Sequence, residues 1–210
     1  MMSSEAHIAD LLLQIKAIKL SPQMPFTWAS GIQSPIYCDN RMVLSFPDER
    51  KEFIAGFVEM SKEFQSIDAI AGVATAGIPH GMLLADRLNL PFIYVRSSPK
   101  SHGTKSSIEG YYEENQKVLV IEDLISTGGS SLQAVEILQE NGLIVQAVLA
   151  IFTYGFQRAI NAFSSAHIPL RTLSNYPVLL DLAFEKKYIT KDQLSLLKEW
   201  NQSPETWKPQ

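Results

Sequence analysis

This chain of 210 residues predicts an α/β protein, a parallel β-sheet core flanked by helices. Three observations carry that expectation. Short apolar runs of strand character alternate with stretches of helical periodicity, which implies a parallel sheet covered on both faces. The composition, 46% hydrophobic and 19% charged, suits a chain that buries one core in one domain. Three of the expected strands also run into loops of unusual composition, and ligands of such sheets sit beyond the carboxyl ends of the strands.

At the start, Ile8, Leu11, Leu12, Ile15 and Ile18 recur at helical spacing. The stretch is read as an amphipathic surface helix, since its longest unbroken apolar run is only the leucines at 11–13. Residues 21–41, SPQMPFTWASGIQSPIYCDNR, are rich in Pro, Ser and Gly and read as turns around short strands. Residues 47–64 look helical, with Phe53, Ile54, Phe57, Val58 and Phe64 on one side. Residues 67–73, IDAIAGV, read as a buried strand feeding the small turn ATAG and a helix that begins near Pro79.

The next strand is LPFIYVR at 90–96, followed by SSPKSHGTKSSIEG, polar throughout and read as a mobile loop. KVLVIED at 117–123 is another strand, and residues 130–141 a helix stopped by Gly142. LIVQAVLAIFTY at 143–154 adds one more strand. Near the end, Thr190 and Gln193 have capping-box spacing, and Leu194, Leu197 and Trp200 make an apolar face.

Bulk properties exclude several function classes. The formal net charge is −4 and there is no dense Lys/Arg block, so nucleic acid is not an expected partner. No segment has the length needed to span a bilayer, so no membrane partner is expected. Cys38 is the single cysteine, which leaves no internal disulfide and argues against a Cys-rich metal site. That fits a reducing, cytoplasmic location.

The most informative stretch is KVLVIEDLISTGGSS, residues 117–131. Gly128 and Gly129 lack side chains, so their N–H groups can curl closely around an anion. Ser126, Thr127 and Ser130 add hydroxyls, and the following helix offers its positive end. This is a phosphate cup without the Lys of a nucleotide-triphosphate loop or the spaced glycines of a dinucleotide fingerprint. Glu122 and Asp123 stand too close to a bound phosphate to hold it themselves. They suit vicinal hydroxyls, or a metal held by the ligand, on a sugar carrying that phosphate.

VLVIEDLISTGGS resembles the phosphoribosyl pyrophosphate signature of type I phosphoribosyltransferases. FTWASGIQSPIYCDNR, VATAGIPHG and VRSSPKSHGTKSSIEG, in that order, narrow the resemblance to the orotate phosphoribosyltransferase family, over most of residues 26–154. The resemblance implies a single phosphoribosyltransferase domain, with a core at about 47–175 and a small hood from about 1–46 and 176–210. It implies transfer of ribose 5-phosphate from phosphoribosyl pyrophosphate to orotate, with Mg2+ carried mainly by the substrate pyrophosphate and ribose hydroxyls. It also implies a homodimer whose loop residues are shared across the interface.

By the same resemblance, Arg96, Lys100 and His102 match the loop cations that close over the pyrophosphate of the neighbouring subunit. Glu122, Asp123, Leu124, Ile125, Ser126, Thr127, Gly128, Gly129 and Ser130 match the ribose-phosphate loop, with Ser126 also matching a position that touches orotate. Ala74, Thr75, Ala76 and Gly77 match the loop whose backbone faces pyrophosphate. Ile36 and Tyr37 are placed over the orotate ring; read alone, Tyr37 is as much a core aromatic as a ligand stacker.

The chain departs from some members in having Ala29, Ser97 and Lys105 at motif positions. The group facing the orotate carboxylate is left open between Arg158 and Arg41. His80 reads as structural, and His7 and His167 as surface residues. A purine phosphoribosyltransferase of the same fold is disfavoured by the FTWASGIQSPIY stretch. A non-catalytic regulator is disfavoured by the retained loop cations and the lack of a basic module.

Overall fold

The computed structural model describes residues 3–28, 31–96 and 107–208. The chain opens with helix α1 (Ser4–Gln14) and strands β1 (Ile18–Leu20), β2 (Phe26–Thr27), β3 (Gln33–Ser34) and β4 (Ile36–Cys38). A 3-10 helix (Asn40–Ser45) leads into α2 (Pro47–Ser61), β5 (Ala69–Val73), α3 (Gly77–Leu88) and β6 (Phe92–Val95). Then come β7 (Ile108–Glu109), β8 (Lys117–Ile125), α4 (Gly129–Glu140) and β9 (Ile144–Thr153). The chain finishes with α5 (Gln157–Ser165), β10 (Leu170–Asn175), α6 (Tyr176–Glu185) and α7 (Lys191–Gln202).

The main sheet has six strands in the order β10-β9-β8-β5-β6-β7. Five run parallel, as the alternating sequence pattern implies, while β7 pairs antiparallel with β6 and makes the sheet mixed at that edge. Side chains alternate across β8, so Leu119 and Ile121 enter one apolar cluster while Val118 and Val120 enter the other. The first cluster lies under α1, α2, α3, α6 and α7, and the second under α4 and α5. Helices therefore cover both faces.

Several boundaries differ from the sequence reading for local reasons. Helix α1 is capped by the Ser3 hydroxyl, which accepts from the Ala6 N–H, and it stops at Gln14. Lys16 turns the chain at a φ of 58°, so Ile18 belongs to β1 and not to the helix. Nor does α1 ride on the surface, because Ile8, Ala9 and Leu12 are buried in the main core. Residues 62–64 lie beyond α2, and α3 begins at Gly77, ahead of Pro79. The capping box of α7 forms as its spacing implies: Thr190 Oγ1 accepts from the Gln193 N–H, and Gln193 Oε1 from the Thr190 N–H.

The two chain ends pack together. Lys186 donates to the buried Asp10 of α1, and Asn175 Nδ2 donates to Glu5 at 3.4 Å. Trp200 of α7 donates from Nε1 to the carbonyl of Gln33 at 3.1 Å. Among the described residues, no helix is long and apolar enough to cross a membrane.

Candidate active site

Because the sheet is parallel, the ends of β5, β6 and β8 open on one edge, and β8 lies next to β5 and β5 next to β6. The three loops singled out by composition therefore follow adjacent strands. Strand β8 outruns its neighbour: pairing with β5 ends at Ile121, while pairing with β9 continues to Ile125. Glu122 and Asp123 thus belong to the strand itself. Leu124 and Ile125, expected in the loop, also lie on the strand; Ile125 is fully buried and Leu124 packs against the core. The loop proper is Ser126 to Gly128.

The pleat sends the two acids to opposite faces. Glu122 turns toward α4, where the Ser131 hydroxyl donates to its Oε2 at 3.3 Å and the Asp123 N–H to its Oε1 at 3.1 Å. Asp123 lies toward the amino-terminal segment, where Asn40 Nδ2 donates to its backbone carbonyl at 2.6 Å. Burial, then the adjacent Asp123, push the Glu122 carboxyl up to about 8. Asp123 is also raised, chiefly by burial. Two acids this close in a poorly solvated site disfavour ionising together, which is why both are raised.

The corner expected to hold a phosphate turns on a glycine. Gly128 adopts a φ of +81°, and a Cβ there would fall 2.8 Å from the ring of Phe163, so this corner needs glycine. No side chain caps α4, which leaves its first N–H groups directed at the cup. The ATAG loop is pressed against β8: a Cβ on Gly77 would stand 2.2 Å from the carbonyl oxygen of Ile121. The Ala74-Thr75 peptide bond is cis. Ala74, Ser130 and Arg96 meet in a small cleft of about 20 Å³. Arg96 also faces Glu109, with Nη1 3.4 Å from Oε1.

A second cavity, of about 410 Å³, opens on the other side of the cup. Ser126 and Thr127 line it with Trp28, Phe156, Arg158, Asn201 near the end of α7 and Glu205 in the turn that follows. Arg158 lies 3.5 Å from Glu205, both largely exposed. Arg41, the other cation considered for a carboxylate, is held in a two-point ion pair by Asp39 at 2.6 and 2.9 Å. Tyr37 stands on β4 with 38% of its surface exposed and its ring 5.6 Å from that of Phe26. Thr75 and Gly129 are exposed, and Ala76 half-buried. Lys100 and His102 lie outside the described residues.

Sequence reasoning missed Asn40. It is a polar residue of the CDNR stretch that the fold buries completely. Its Oδ1 accepts from Cys38 Sγ at 3.2 Å, and burial raises the Cys38 thiol well above its usual range, which leaves it a poor nucleophile. Among the described residues no three His, Cys, Asp or Glu side chains gather around a common point. The available hard donors are the carboxylates of Glu122 and Asp123. That set fits a Mg2+ that keeps waters and substrate oxygens and takes one or two protein carboxylates.

Residues 50–158 match the family described as "Phosphoribosyl transferase domain". The orotate phosphoribosyltransferase of Bacillus pumilus is 54% identical over 206 residues, covering 97% of this chain and 97% of its own length. That of Lactococcus lactis subsp. cremoris is 50% identical over 208 residues, 99% of this chain and 100% of its own. The crystal structure of orotate phosphoribosyltransferase from Aeropyrum pernix superposes with a TM-score of 0.75 at 27% identity, covering 87% of this chain and 99% of that one. Identity of this level over the whole length shows the family: the chain belongs to the orotate phosphoribosyltransferases.

Proposed function

We propose that this protein transfers the ribose 5-phosphate of phosphoribosyl pyrophosphate to orotate, giving orotidine 5'-monophosphate and pyrophosphate in pyrimidine biosynthesis. The observation that carries the reading is the acid pair of β8 running directly into an uncapped helix start, in a chain about half identical to named orotate phosphoribosyltransferases. The N1–C1 bond forms as the C1–oxygen bond to pyrophosphate breaks, and N1 loses its proton. Each half of the donor substrate has a place. The 5-phosphate enters the cup at Ser126, Thr127, Gly128, Gly129 and Ser130, and the ribose hydroxyls face Glu122 and Asp123. The pyrophosphate lies along the Ala74–Gly77 backbone.

Catalysis on this frame is positioning plus neutralisation of the leaving group. Arg96, Lys100 and His102 supply cations, and closure of their loop excludes water. Mg2+, when bound, shields the charge of the pyrophosphate oxygens. Orotate enters the cavity beside Ser126, with Tyr37 above its ring. Arg158 is better placed than Arg41 for its carboxylate, because Arg158 lines that cavity and its exposed pairing with Glu205 at 3.5 Å is looser than the two-point pair that holds Arg41. The loop works across a homodimer, the chain ends form the hood, and the enzyme is cytoplasmic.

Loss of orotate absorbance, followed with phosphoribosyl pyrophosphate and Mg2+ present, tests the reading. Turnover confined to orotate, absent with adenine, hypoxanthine or uracil, supports it. Binding of phosphoribosyl pyrophosphate without any turnover of orotate rejects it.

A further inference from the structure

One polar group at this site has no partner. Tyr154 follows β9, and its backbone is fully used: its N–H donates to the carbonyl of Ile125 at 3.1 Å, and its carbonyl accepts from Asn201 Nδ2 at 2.7 Å. Its ring is clamped between Trp28, Phe156, Tyr176 and Trp200, with centroids 5.3 to 6.2 Å away, and the residue is only 2% exposed. A buried phenol normally finds a hydrogen-bond partner. Neighbouring Tyr176 does, donating to the carbonyl of Leu197 at 3.1 Å.

The Tyr154 hydroxyl makes no hydrogen bond to any described residue. It is therefore fixed in place with its donor unused. Within electrostatic range of it are Cys38, Tyr176, Asp123 and Tyr37. Cys38 is committed to Asn40, and Tyr176 to the carbonyl of Leu197. Burial, first, and these neighbours keep the phenol protonated, so it acts as a donor.

We propose that Tyr154 is a specificity-determining residue whose hydroxyl donates a hydrogen bond to an acceptor oxygen of the pyrimidine substrate. The assignment rests on the orotate-transfer reading above. Orotate offers acceptors on its edges, in two ring carbonyls and a carboxylate, and three neighbours of Tyr154, namely Trp28, Phe156 and Asn201, line the cavity assigned to the base. A preset donor that loses nothing on binding rewards a base with an acceptor at that point and penalises one without it.

Steady-state kinetics of Tyr154→Phe in the full chain, with thermal unfolding alongside, tests this. The ring packing is kept and only the hydroxyl is lost. The expected result is a rise of about tenfold in KM for orotate. KM for phosphoribosyl pyrophosphate should stay within about twofold and Tm should be unchanged, since the hydroxyl supports nothing within the fold. An orotate KM within about twofold of wild type overturns the proposal. So does a rise confined to phosphoribosyl pyrophosphate, which would put the phenol on the ribose, or a fall in Tm with both constants impaired. Wild-type enzyme that fails to consume orotate at all overturns the underlying reading instead.

Discussion

Asn40 Nδ2 donates to the backbone carbonyl of Asp123 at 2.6 Å, joining residues 83 positions apart. The contact ties the amino-terminal segment, which carries Tyr37, to the strand end that carries the acids. Asn40 is fully buried and oriented in turn by Cys38. The amino-terminal segment and the acids are thereby held at a fixed separation.

Replacing Asn40 by Ala leaves that carbonyl buried without its donor, at a cost of about 1–3 kcal/mol. The loss falls partly on the site, because the freed strand end no longer holds Asp123 in place. Asn40→Ala should lower kcat/KM for phosphoribosyl pyrophosphate by at least about tenfold, beyond any change in stability. Kinetics at a temperature well below both unfolding transitions separates the two effects.

The acid pair gives stability a definite pH dependence. Glu122 titrates near 8 in the folded protein against about 4.5 when unfolded. The folded state therefore binds more protons across that window, and stability falls as pH rises from about 4.5 to 8. Glu122→Gln removes this loss. The substitution should raise Tm by several degrees at pH 8.5 and have little effect at pH 5, while impairing turnover. Unfolding scans at the two pH values check both halves.

His80 acts in the opposite sense. It is fully buried on α3, neither ring nitrogen has a hydrogen-bond partner, and burial with the nearby Arg50 pulls its imidazole down to about 4. The unfolded chain then binds more protons between about 6.5 and 4, so stability is lost as pH falls through that range. His80→Leu should flatten this acid limb, making the variant more stable than wild type at pH 5. Denaturant titrations at pH 5 and pH 7.5 give the comparison.

The glycines of the site are not equivalent. Gly77→Ala forces α3 back from the Ile121 carbonyl, 2.2 Å from the added carbon, and should cost about 1–3 kcal/mol. Gly129→Ala meets nothing closer than the Thr127 hydroxyl at 4.0 Å and should leave Tm unchanged. Paired thermal scans of the two variants make the measurement.

Much of this was legible in the sequence because the signals are local. Continuous apolar runs gave β5, β8 and β9, and the Thr190–Gln193 pair gave the start of α7. The tight turn at Gly128 ahead of α4 was legible because of its run of small residues. What escaped depends on tertiary partners. Residues 155–189 carry α5, β10 and α6, yet α6 is apolar around most of its surface, since α1 and α7 both pack on it; such a helix shows no single stripe. The extension of β8 through Leu124 and Ile125 was hidden because the β9 strand alone supports it. Asn40 was invisible because its partner is a backbone carbonyl, which leaves no trace in side-chain pattern.

The central claim is that the end of β8 is where the transfer takes place. Side-by-side rates of orotate consumption by wild type and Asp123→Asn test it most directly. The account predicts measurable turnover by wild type and a loss of about a hundredfold or more in the variant, with Tm preserved. Equal rates in the two proteins would contradict it and move the chemistry away from the acid pair.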